Sequence, residues 1–412
     1  MSSEYGIVAG IDVHKKWLYV VIGPEDTPEG QFRRMRVGTT TRELQQLADD
    51  LYLAGVCTVV MESTAKYWRP VWAVLEGAFR LFLAQARSNA APHGRKTDFG
   101  DAIRLIKRLR AGDLRLSFVP DMEQREWRLL TRTRVKYQND ISQLRSELEG
   151  LLEECRIKLS GCLSDVFGLS GRRILRKLAE GEADPERLAA LADSKVRATP
   201  QQLADALNGK LTAAHRLLLN QTLDRLETLK NQSEEINEQL TVAMKPHLGV
   251  IRRLCAIPGI SVSAAYQVIA ELGPSAEKFV SAAHAASWAG VCPGRQQSAG
   301  ESYSDACAKG NRFLRRLLCQ CAWAAVRNKS SYAHSLFKRL VTRLGPQKAI
   351  WAVAHYLLRL IWMVLHNGIE YQERAQVANL TERLKRKLDS TARALRRFGL
   401  NVQITIPELE TA

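Results

Sequence analysis

A long heptad pattern in the middle of the chain constrains the fold more than any other feature. From residue 126 onward, one face repeats in alternating steps of three and four over about four heptads. The positions are Trp127, Leu130, Arg134, Tyr137, Ile141, Leu144, Leu148, Leu151 and Cys155. This spacing predicts one long helix of the coiled-coil type. A second run over 219–244 predicts another, so we expect either an antiparallel hairpin or a dimerisation arm, with short basic helices inserted between the two.

Short apolar strands precede the heptad helix, and two of them carry an acidic residue. Residues 6–23 predict two strands around a turn at 14–16, with Asp12 in the first. A third strand over 57–61 delivers Glu62 at its end. A carboxylate within an apolar strand is costly unless it is paired or binds a metal. For Asp12 the alternative is a residue at a strand end that caps the turn.

A second acidic pair lies at a predicted helix start, where Thr97 or Asp98 begins the helix. Asp98 and Asp101 are three residues apart and therefore share one side of that helix. Alone, the pair favours a structural role, because acidic residues suit the helix dipole. Together with Asp12 and Glu62, it predicts an acidic cluster in an α/β layer.

Such a cluster supplies the hard oxygen ligands that two Mg²⁺ ions need around a phosphorus atom. The order of strands, helices and acids is similar to a nuclease core of the RNase H or RuvC type. Basic residues close to the acids in sequence would then contact phosphates. They are Lys66, Arg95 and Lys96.

The net charge of +17 and the sequence pI of about 9.7 favour a polyanionic partner, nucleic acid before a membrane surface. The apolar run over 349–365 is interrupted by His355 and Arg359, so we expect a buried helix and no membrane partner. The N-terminus lacks the pattern of a secretory signal. The eight cysteines lack paired zinc-finger spacing, so we expect mostly buried, reduced thiols in a cytoplasmic protein.

Residues 288–318 combine a small hydroxyl with a cationic helix. Pro and Gly flank Ser298, which predicts an irregular loop there. A turn that includes Lys309 follows, and then a helical run in which Arg312, Arg315 and Arg316 share one face. This arrangement could bring Ser298 to a phosphate. The alternative is a surface turn before a basic, solvated helix.

Two further segments indicate nucleic-acid contacts. Residues 254–260 contain an I-P-G-I turn that is similar to a helix-hairpin-helix element, whose backbone N–H groups contact phosphate. A plain turn between two helices is the alternative. Residues 373–397 predict a cationic amphipathic helix, which either lies on nucleic acid or is a solvated face.

Taken together, these motifs resemble the DEDD transposases of the insertion-sequence one-ten type, relatives of Piv-type DNA invertases. The resemblance covers nearly the whole chain. It rests on G-I-D-V-x-K, V-x-E-S, K-T-D-x-x-D-A, the heptad helix, I-P-G-I and W-A-G-x-C-P-G…S-A-G…K-G-N-x-x-L-R-R. One departure is that Glu301 and Asp305 follow S-A-G, where the family often carries Lys and other basic residues. Ser302 and Ser304 lie close to Ser298 but lack the S-A-G context.

The resemblance implies an α/β plus all-α architecture. Its parts are a RuvC-like DEDD domain at 1–118, a coiled-coil region with an insert at 119–248, a transposase domain with the catalytic serine at 249–370 and a basic helical tail at 371–412. It implies Mg²⁺-dependent DNA cleavage and rejoining, with two ions per site and Ser298 as the nucleophile. The implied catalytic metal ligands are Asp12, Glu62, Asp98 and Asp101.

The resemblance also implies three kinds of partner: DNA at the element ends and target, a structured noncoding guide RNA (a bridge RNA), and further copies of the chain in a dimer or tetramer. The expected location is the bacterial cytoplasm, at the nucleoid. Two alternatives remain open. One is a RuvC-like metal-dependent, structure-specific DNA endonuclease in which water attacks and no covalent serine intermediate forms. The other is a non-catalytic nucleic-acid-binding protein whose acids only cap helices and turns.

Overall fold

A five-stranded mixed sheet forms the centre of the first of two units, Met1–Pro120. Its strands are β1 (Ile7–Val13), β2 (Trp17–Gly23), β3 (Arg33–Gly38), β4 (Val56–Glu62) and β5 (Arg80–Ala84). Their spatial order is β3-β2-β1-β4-β5, with β1, β4 and β5 parallel and β2 and β3 antiparallel to their neighbours. Four of these strands confirm the sequence prediction. β3 was not predicted, because its residues are mostly polar and it lies at the sheet edge.

The structure is a computed structural model. It describes residues 5–24, 28, 31–62, 65–89, 97–292, 307, 310–373 and 388, together with the backbone of 296–298 and 301–304. The predicted cationic helix over 373–397 lies almost entirely outside the described residues. The protein is an α/β unit followed by a mostly helical unit, Asp121–Ala412, and each unit has its own hydrophobic core.

Helices cover both faces of the sheet. On one face α1 (Thr41–Leu53) and α2 (Trp68–Leu75) bury their apolar sides against β1, β2 and β4. On the other face α3 (Asp98–Arg110) packs across β1, β2 and β4. Successive strand residues point to opposite faces, and Val8 and Val60 belong to the α3 core. Asp12 is four residues after Val8, and Glu62 is two residues after Val60. Both acids therefore point to the α3 face.

Two long helices pair side by side in the second unit, α4 (Met122–Glu154) and α9 (Ala213–Ala243). They are antiparallel, because Nη1 of Arg134 donates to Oδ1 of Asn237 at 3.0 Å while Cys155 Sγ lies 3.2 Å from Nδ1 of His215. Both predicted long helices and their pairing within one chain are confirmed. Self-association through the same helices stays a prediction.

Four short helices form the insert between α4 and α9. They are α5 (Leu159–Cys162), α6 (Leu169–Glu180), α7 (Pro185–Ala189) and α8 (Pro200–Leu207). They share one hydrophobic core with the adjoining ends of the long helices, in which Leu148, Leu175 and Leu219 are fully buried. The basic, broken helices predicted for this region are therefore confirmed.

The remaining helices form the C-terminal part of the second unit. They are α10 (Leu248–Cys255), α11 (Val262–Leu272), α12 (Ala282–Ala289), α13 (Arg312–Arg327) and α14 (Tyr332–His366). By length and composition alone, α14 could cross a membrane, although half of its most apolar window is buried. It bends at Gly345 (φ 74°) and buries Val353, Leu357 and Ile361 beside α12 and α13. The predicted buried helix over 349–365 is confirmed.

The I-P-G-I turn joins α10 to α11 and packs against α13. Gly259 has φ +87°, and a Cβ atom there would lie 2.6 Å from the backbone nitrogen of Ala325. Glycine is therefore needed at this position for close packing against α13, and phosphate binding by this turn stays a prediction. The prediction of mostly buried cysteines was wrong. All eight are free, but only Cys155 and Cys321 are buried.

Candidate active site

The parallel strands β1 and β4 bring Asp12 and Glu62 to the same edge of the sheet. Ile11 pairs with Met61 in the ladder, so the residues that follow them are neighbours on adjacent strands. Asp12 is 6% exposed and Glu62 is half-buried. The expectation that both acids leave strands of one sheet is confirmed.

Helix α3 begins beside these strand ends and adds the second acidic pair. Thr97 is its N-cap, with Oγ1 accepting a hydrogen bond from Gly100 N at 3.2 Å, and Asp98 is the first helical residue. Asp98 and Asp101 lie in the first turn. A Cβ atom on Gly10 would overlap the carbonyl oxygen of Ala102, so glycine at this position lets α3 approach β1 closely.

His14 joins the acids from the turn between β1 and β2. Its Nε2 lies 3.1 Å from Oδ2 of Asp12 and 3.5 Å from Oδ1 of Asp98. One ligand atom from each of the three residues lies within 4.8 Å of the others, which suits a metal ion. The ring packs edge-on against Tyr19, with centroids 5.7 Å apart. His14 was not predicted in this role, although its two-residue spacing from Asp12 is the spacing of side chains on one strand face.

The carboxylates at this edge of the sheet influence one another's ionisation. Burial raises the pKa of Asp12, His14 lowers it, and the charges of Glu62 and Asp101 raise it further. One local cation contributes, since Arg104 Nη1 donates to Oδ1 of Asp101 at 2.7 Å. The raised pKa of Asp12 shows that its ionised form is unfavourable here, and a bound divalent cation would remove that cost.

Asn89 adds an oxygen atom that suits a cation at this site. It ends a 3-10 turn (Ala86–Asn89), is 3% exposed, and donates from Nδ2 to Oε2 of Glu62 at 3.0 Å. Its Oδ1 is buried and has no hydrogen-bond partner among the described residues. An amide oxygen is a good ligand for a hard cation. The residues present therefore fit a divalent metal, and no sequence motif had indicated Asn89.

Of the three basic residues predicted near the acids, the structure describes one. Lys66 is exposed on the turn between β4 and α2. Arg95 and Lys96 lie outside the described residues, as does Lys309 in the second unit. Their contacts with nucleic acid therefore remain predictions.

Ser298 ends the short strand β6 (Gln296–Ser298). This strand pairs antiparallel with β7 (Glu301–Ser304), and Ser298 is opposite Glu301. The prediction of an irregular loop was wrong: the backbone forms a two-stranded hairpin. Only two residues separate the strands in sequence, which is the commonest connection length for a hairpin.

The segment that carries this hairpin is held at its base. The backbone N–H of Asn311 donates to the Trp288 carbonyl at 3.1 Å, and a Cβ atom on Gly310 would lie 2.6 Å from the Ala289 carbonyl oxygen. Asn311 is also the N-cap of α13, where Oδ1 accepts from the backbone N–H of Phe313 at 3.0 Å. The end of α12 and the start of α13 are thereby joined.

A buried ion-pair network connects this base to the first long helix. Glu271 in α11 is fully buried and accepts from Nε and Nη2 of Arg132 at 2.8 Å each. It also accepts from Nδ2 of Asn311 at 2.7 Å. The Nε of Arg128 lies 3.4 Å from Oε2 of Glu271. Burial lowers the pKa of Arg128 to about 10, although the charge of Glu271 opposes this shift. No local sequence pattern indicates this network.

The three arginines of α13 differ in their surroundings. Arg312 is exposed and lies over the ring of Phe313 at 4.8 Å, whereas Arg315 is half-buried over Trp351 at 4.6 Å. Arg316 is half-buried, and its Nη1 has no hydrogen-bond partner in the described part of the chain. The predicted helix is confirmed, but it is not a fully solvated basic face.

Two family models match separate segments of the chain. A DEDD transposase model of the IS110 type matches residues 9–157, from the Asp12 strand to the end of α4. A model described as "Transposase IS116/IS110/IS902 family" matches residues 251–338, which include the Ser298 hairpin and α13. No curated protein matches the chain.

The acidic site on a mixed sheet and both matches define a transposase, an enzyme that binds, cleaves and rejoins DNA. The chain belongs to the IS110 family of DEDD transposases. The family model over residues 9–157 and the cluster of Asp12, His14 and Asp98 both fit divalent metal binding.

Proposed function

We propose that this transposase cleaves and rejoins DNA by a Mg²⁺-dependent reaction in which Ser298 is the nucleophile. The observation that carries the proposal is the acidic edge of the first unit. There, Asp12 is buried near the other carboxylates, and Asn89, which contacts Glu62, has a buried amide oxygen with no hydrogen-bond partner among the described residues. The strand order and the position of the acids also support a RuvC-like fold for this unit.

The proposed metal ligands are the four acids of the sequence motif. Asp12, Glu62, Asp98 and Asp101 would hold two Mg²⁺ ions, and His14 and Asn89 lie close enough to complete the set. Bound Mg²⁺ would polarise the scissile phosphate and stabilise the charge that develops on its oxygens. Arg104 keeps one oxygen of Asp101 oriented through their 2.7 Å contact.

The proposed covalent step takes place at Ser298. Its hydroxyl gives up a proton while Oγ attacks a backbone phosphorus. The new Oγ–P bond replaces the bond to the neighbouring nucleotide, whose oxygen leaves as a hydroxyl after taking up a proton. A strand hydroxyl from the other DNA then attacks the phosphoseryl ester and restores the serine. Because a free serine hydroxyl is a poor nucleophile, it needs an activating base or metal, which we assign to the acidic cluster.

Basic residues in both units are proposed to position the DNA backbone. The residues are Lys66, Arg95, Lys96, Lys309, Arg312, Arg315 and Arg316. The net charge of +17 supports this role. The Nη1 of Arg316, which has no hydrogen-bond partner among the described residues, supports it more specifically, because a phosphate oxygen would satisfy a donor that is otherwise costly to bury.

We further propose a structured noncoding bridge RNA and a homo-oligomer, dimer or tetramer, as working partners in the bacterial cytoplasm at the nucleoid. The four-domain division at 118, 248 and 370 belongs to the same proposal. Removal of the RNA should abolish site-specific cleavage while general DNA binding persists. Light scattering of the RNA-bound protein would measure the number of chains.

The second candidate is a RuvC-like, metal-dependent endonuclease without a serine intermediate, which the same acidic cluster favours. Asp12→Asn and Ser298→Ala, assayed separately with RNA, DNA and Mg²⁺, distinguish the two. We expect neither variant to form protein-linked DNA. The endonuclease would be favoured if Ser298→Ala still cleaved DNA and the wild type formed no protein–DNA adduct. Activity that is indifferent to chelation of Mg²⁺ would exclude both candidates.

A further inference from the structure

The insert and the long helices line a cationic cavity, and all of its lining residues except Arg145 lie between the two family matches, which end at residue 157 and resume at residue 251. The cavity is about 480 Å³ and lies between α4, α6 and α9. Six cationic side chains line it: Arg145, Arg172, Arg173, Arg176, Lys177 and Lys230. Its volume is in the range typical of ligand cavities, about 300–1,000 Å³.

Most of this positive charge is not neutralised. Arg176 forms ion pairs with Asp224 and Glu227, and Lys177 pairs with Glu180. For the other four cations, no carboxylate lies within ion-pair distance in the described ranges. Burial lowers the pKa of Lys230, and the charges of Arg172 and Arg145 lower it further, although the charges of Asp165 and Glu227 oppose this shift. The cations therefore repel one another, and a bound anion would relieve that repulsion.

The cavity also has an apolar floor. The guanidinium of Arg145 lies 5.1 Å from the ring centroid of Phe167, and its Nε is buried without a hydrogen-bond partner among described residues. Leu223 and Leu226 of α9 complete the floor, and Leu169 is 54% exposed at the start of α6. Cations above an apolar, aromatic floor suit a nucleic-acid strand, whose phosphates and bases need different surroundings.

We propose that this cavity binds a nucleic-acid strand, with backbone phosphates on Arg172, Arg173 and Lys230 and one base or sugar against the apolar floor. The cavity volume accommodates about one nucleotide at a time. Arginine is suited to this task because its planar guanidinium binds phosphate through two hydrogen bonds. The proposal depends neither on Ser298 nor on the metal site. It assigns to the insert a direct contact with DNA or RNA.

The test compares two double variants of the full-length protein. Arg172→Gln/Arg173→Gln removes two exposed cations from the cavity. Lys195→Gln/Arg197→Gln removes the same charge from exposed positions of the same insert that do not line the cavity. Fluorescence anisotropy would give the Kd of each protein for labelled single-stranded DNA, single-stranded RNA and duplex DNA, from about 50 to 200 mM salt.

We expect the cavity variant to bind at least one of these nucleic acids about tenfold more weakly than wild type does. For a single strand, its slope of log K against log salt should be smaller by about 1.4, or about 0.7 for each lost phosphate contact. The control variant should match wild type within about twofold, given that it keeps every cavity contact. The nucleic acid that shows the difference identifies DNA or RNA as the occupant.

Equal weakening of the cavity and control variants would overturn the proposal, because only net charge would then matter. An unchanged Kd in the cavity variant would overturn it as well. Thermal melting of each variant checks the fold, which should be unaffected because both arginines are exposed. Lys230→Gln provides a second cavity variant on a different helix and should weaken binding of the same nucleic acid.

Discussion

Gly10 and Ala102 are in such close contact that a Cβ atom on residue 10 would overlap the Ala102 carbonyl oxygen. The same Cβ atom would lie 2.9 Å from Cγ1 of Ile106. Helix α3 can therefore cross β1 at this distance only above a glycine. The close crossing sets the first turn of α3, with Asp98 and Asp101, beside Asp12. One backbone position thus controls the assembly of the acidic cluster.

Gly10→Ala should lower the free energy of unfolding by about 1–3 kcal/mol, because the added methyl group overpacks the contact between α3 and β1. DNA cleavage should fall further than this loss explains, since the acids separate. Gly150→Ala is the matched control, for its Cβ would meet nothing within 4 Å on the surface of α4. Denaturant unfolding and a cleavage assay measure both effects. If Gly10→Ala kept wild-type stability and activity, the close crossing of α3 over β1 would not require glycine at this position.

His14→Ala should weaken Mn²⁺ binding more than Mg²⁺ binding. The reason is that Mg²⁺ strongly prefers oxygen ligands, whereas Mn²⁺ accepts an imidazole nitrogen more readily. Isothermal titration of the full-length protein with each ion gives the two Kd values. The affinity for Mn²⁺ should fall about 10–100-fold. Equal losses for both ions would mean that His14 only orients Asp12 and Asp98 through its hydrogen bonds.

Asp12→Asn should abolish cleavage yet increase the stability of the metal-free protein. The folded-state pKa of Asp12 is raised by burial, so the native state holds this proton more tightly than the unfolded state does. Stability is therefore lost as pH rises from the unfolded value of 3.8 through the raised pKa. Melting in chelator at neutral pH should show a higher Tm for Asp12→Asn.

Added Mg²⁺ should raise the Tm of the wild type and have a much smaller effect on Asp12→Asn, because a ligand that binds the native state stabilises it. A Tm of the wild type that does not respond to Mg²⁺ at any concentration would contradict the assignment of the acids as metal ligands. This readout is independent of catalysis.

Glu271→Gln should lower the free energy of unfolding by about 3–5 kcal/mol, because the buried guanidinium of Arg128 and the half-buried one of Arg132 lose a fully buried carboxylate. Glu153→Gln makes the same chemical change in the exposed pair with Lys158 and should have little effect. Chemical denaturation compares the two. Covalent DNA linkage should also slow in Glu271→Gln, since glutamine offers one accepting oxygen where the carboxylate offers two to Arg132 and to Asn311 below the Ser298 hairpin.

Local patterns were enough to predict much of the fold and part of the site. The apolar strands ending near Asp12 and at Glu62, and the helix start at Thr97, are visible in neighbouring residues, so the four acids could be found from sequence. Contacts between distant segments could not. Asn89 reaches Glu62 from a separate turn, and Glu271 meets Arg132 across two helices. No local spacing encodes either pair.

The most direct measurement of the central claim maps the protein residue that becomes linked to DNA. The full-length protein would be incubated with Mg²⁺, guide RNA and labelled DNA, digested, and analysed by mass spectrometry, with Ser302→Ala as the control for the neighbouring hydroxyl. If Ser298 is the nucleophile, we expect a nucleotide on Ser298 in the wild type and in Ser302→Ala, and no linked peptide in Ser298→Ala. A linked peptide that persists in Ser298→Ala, or cleaved DNA with no linked peptide in the wild type, would contradict it.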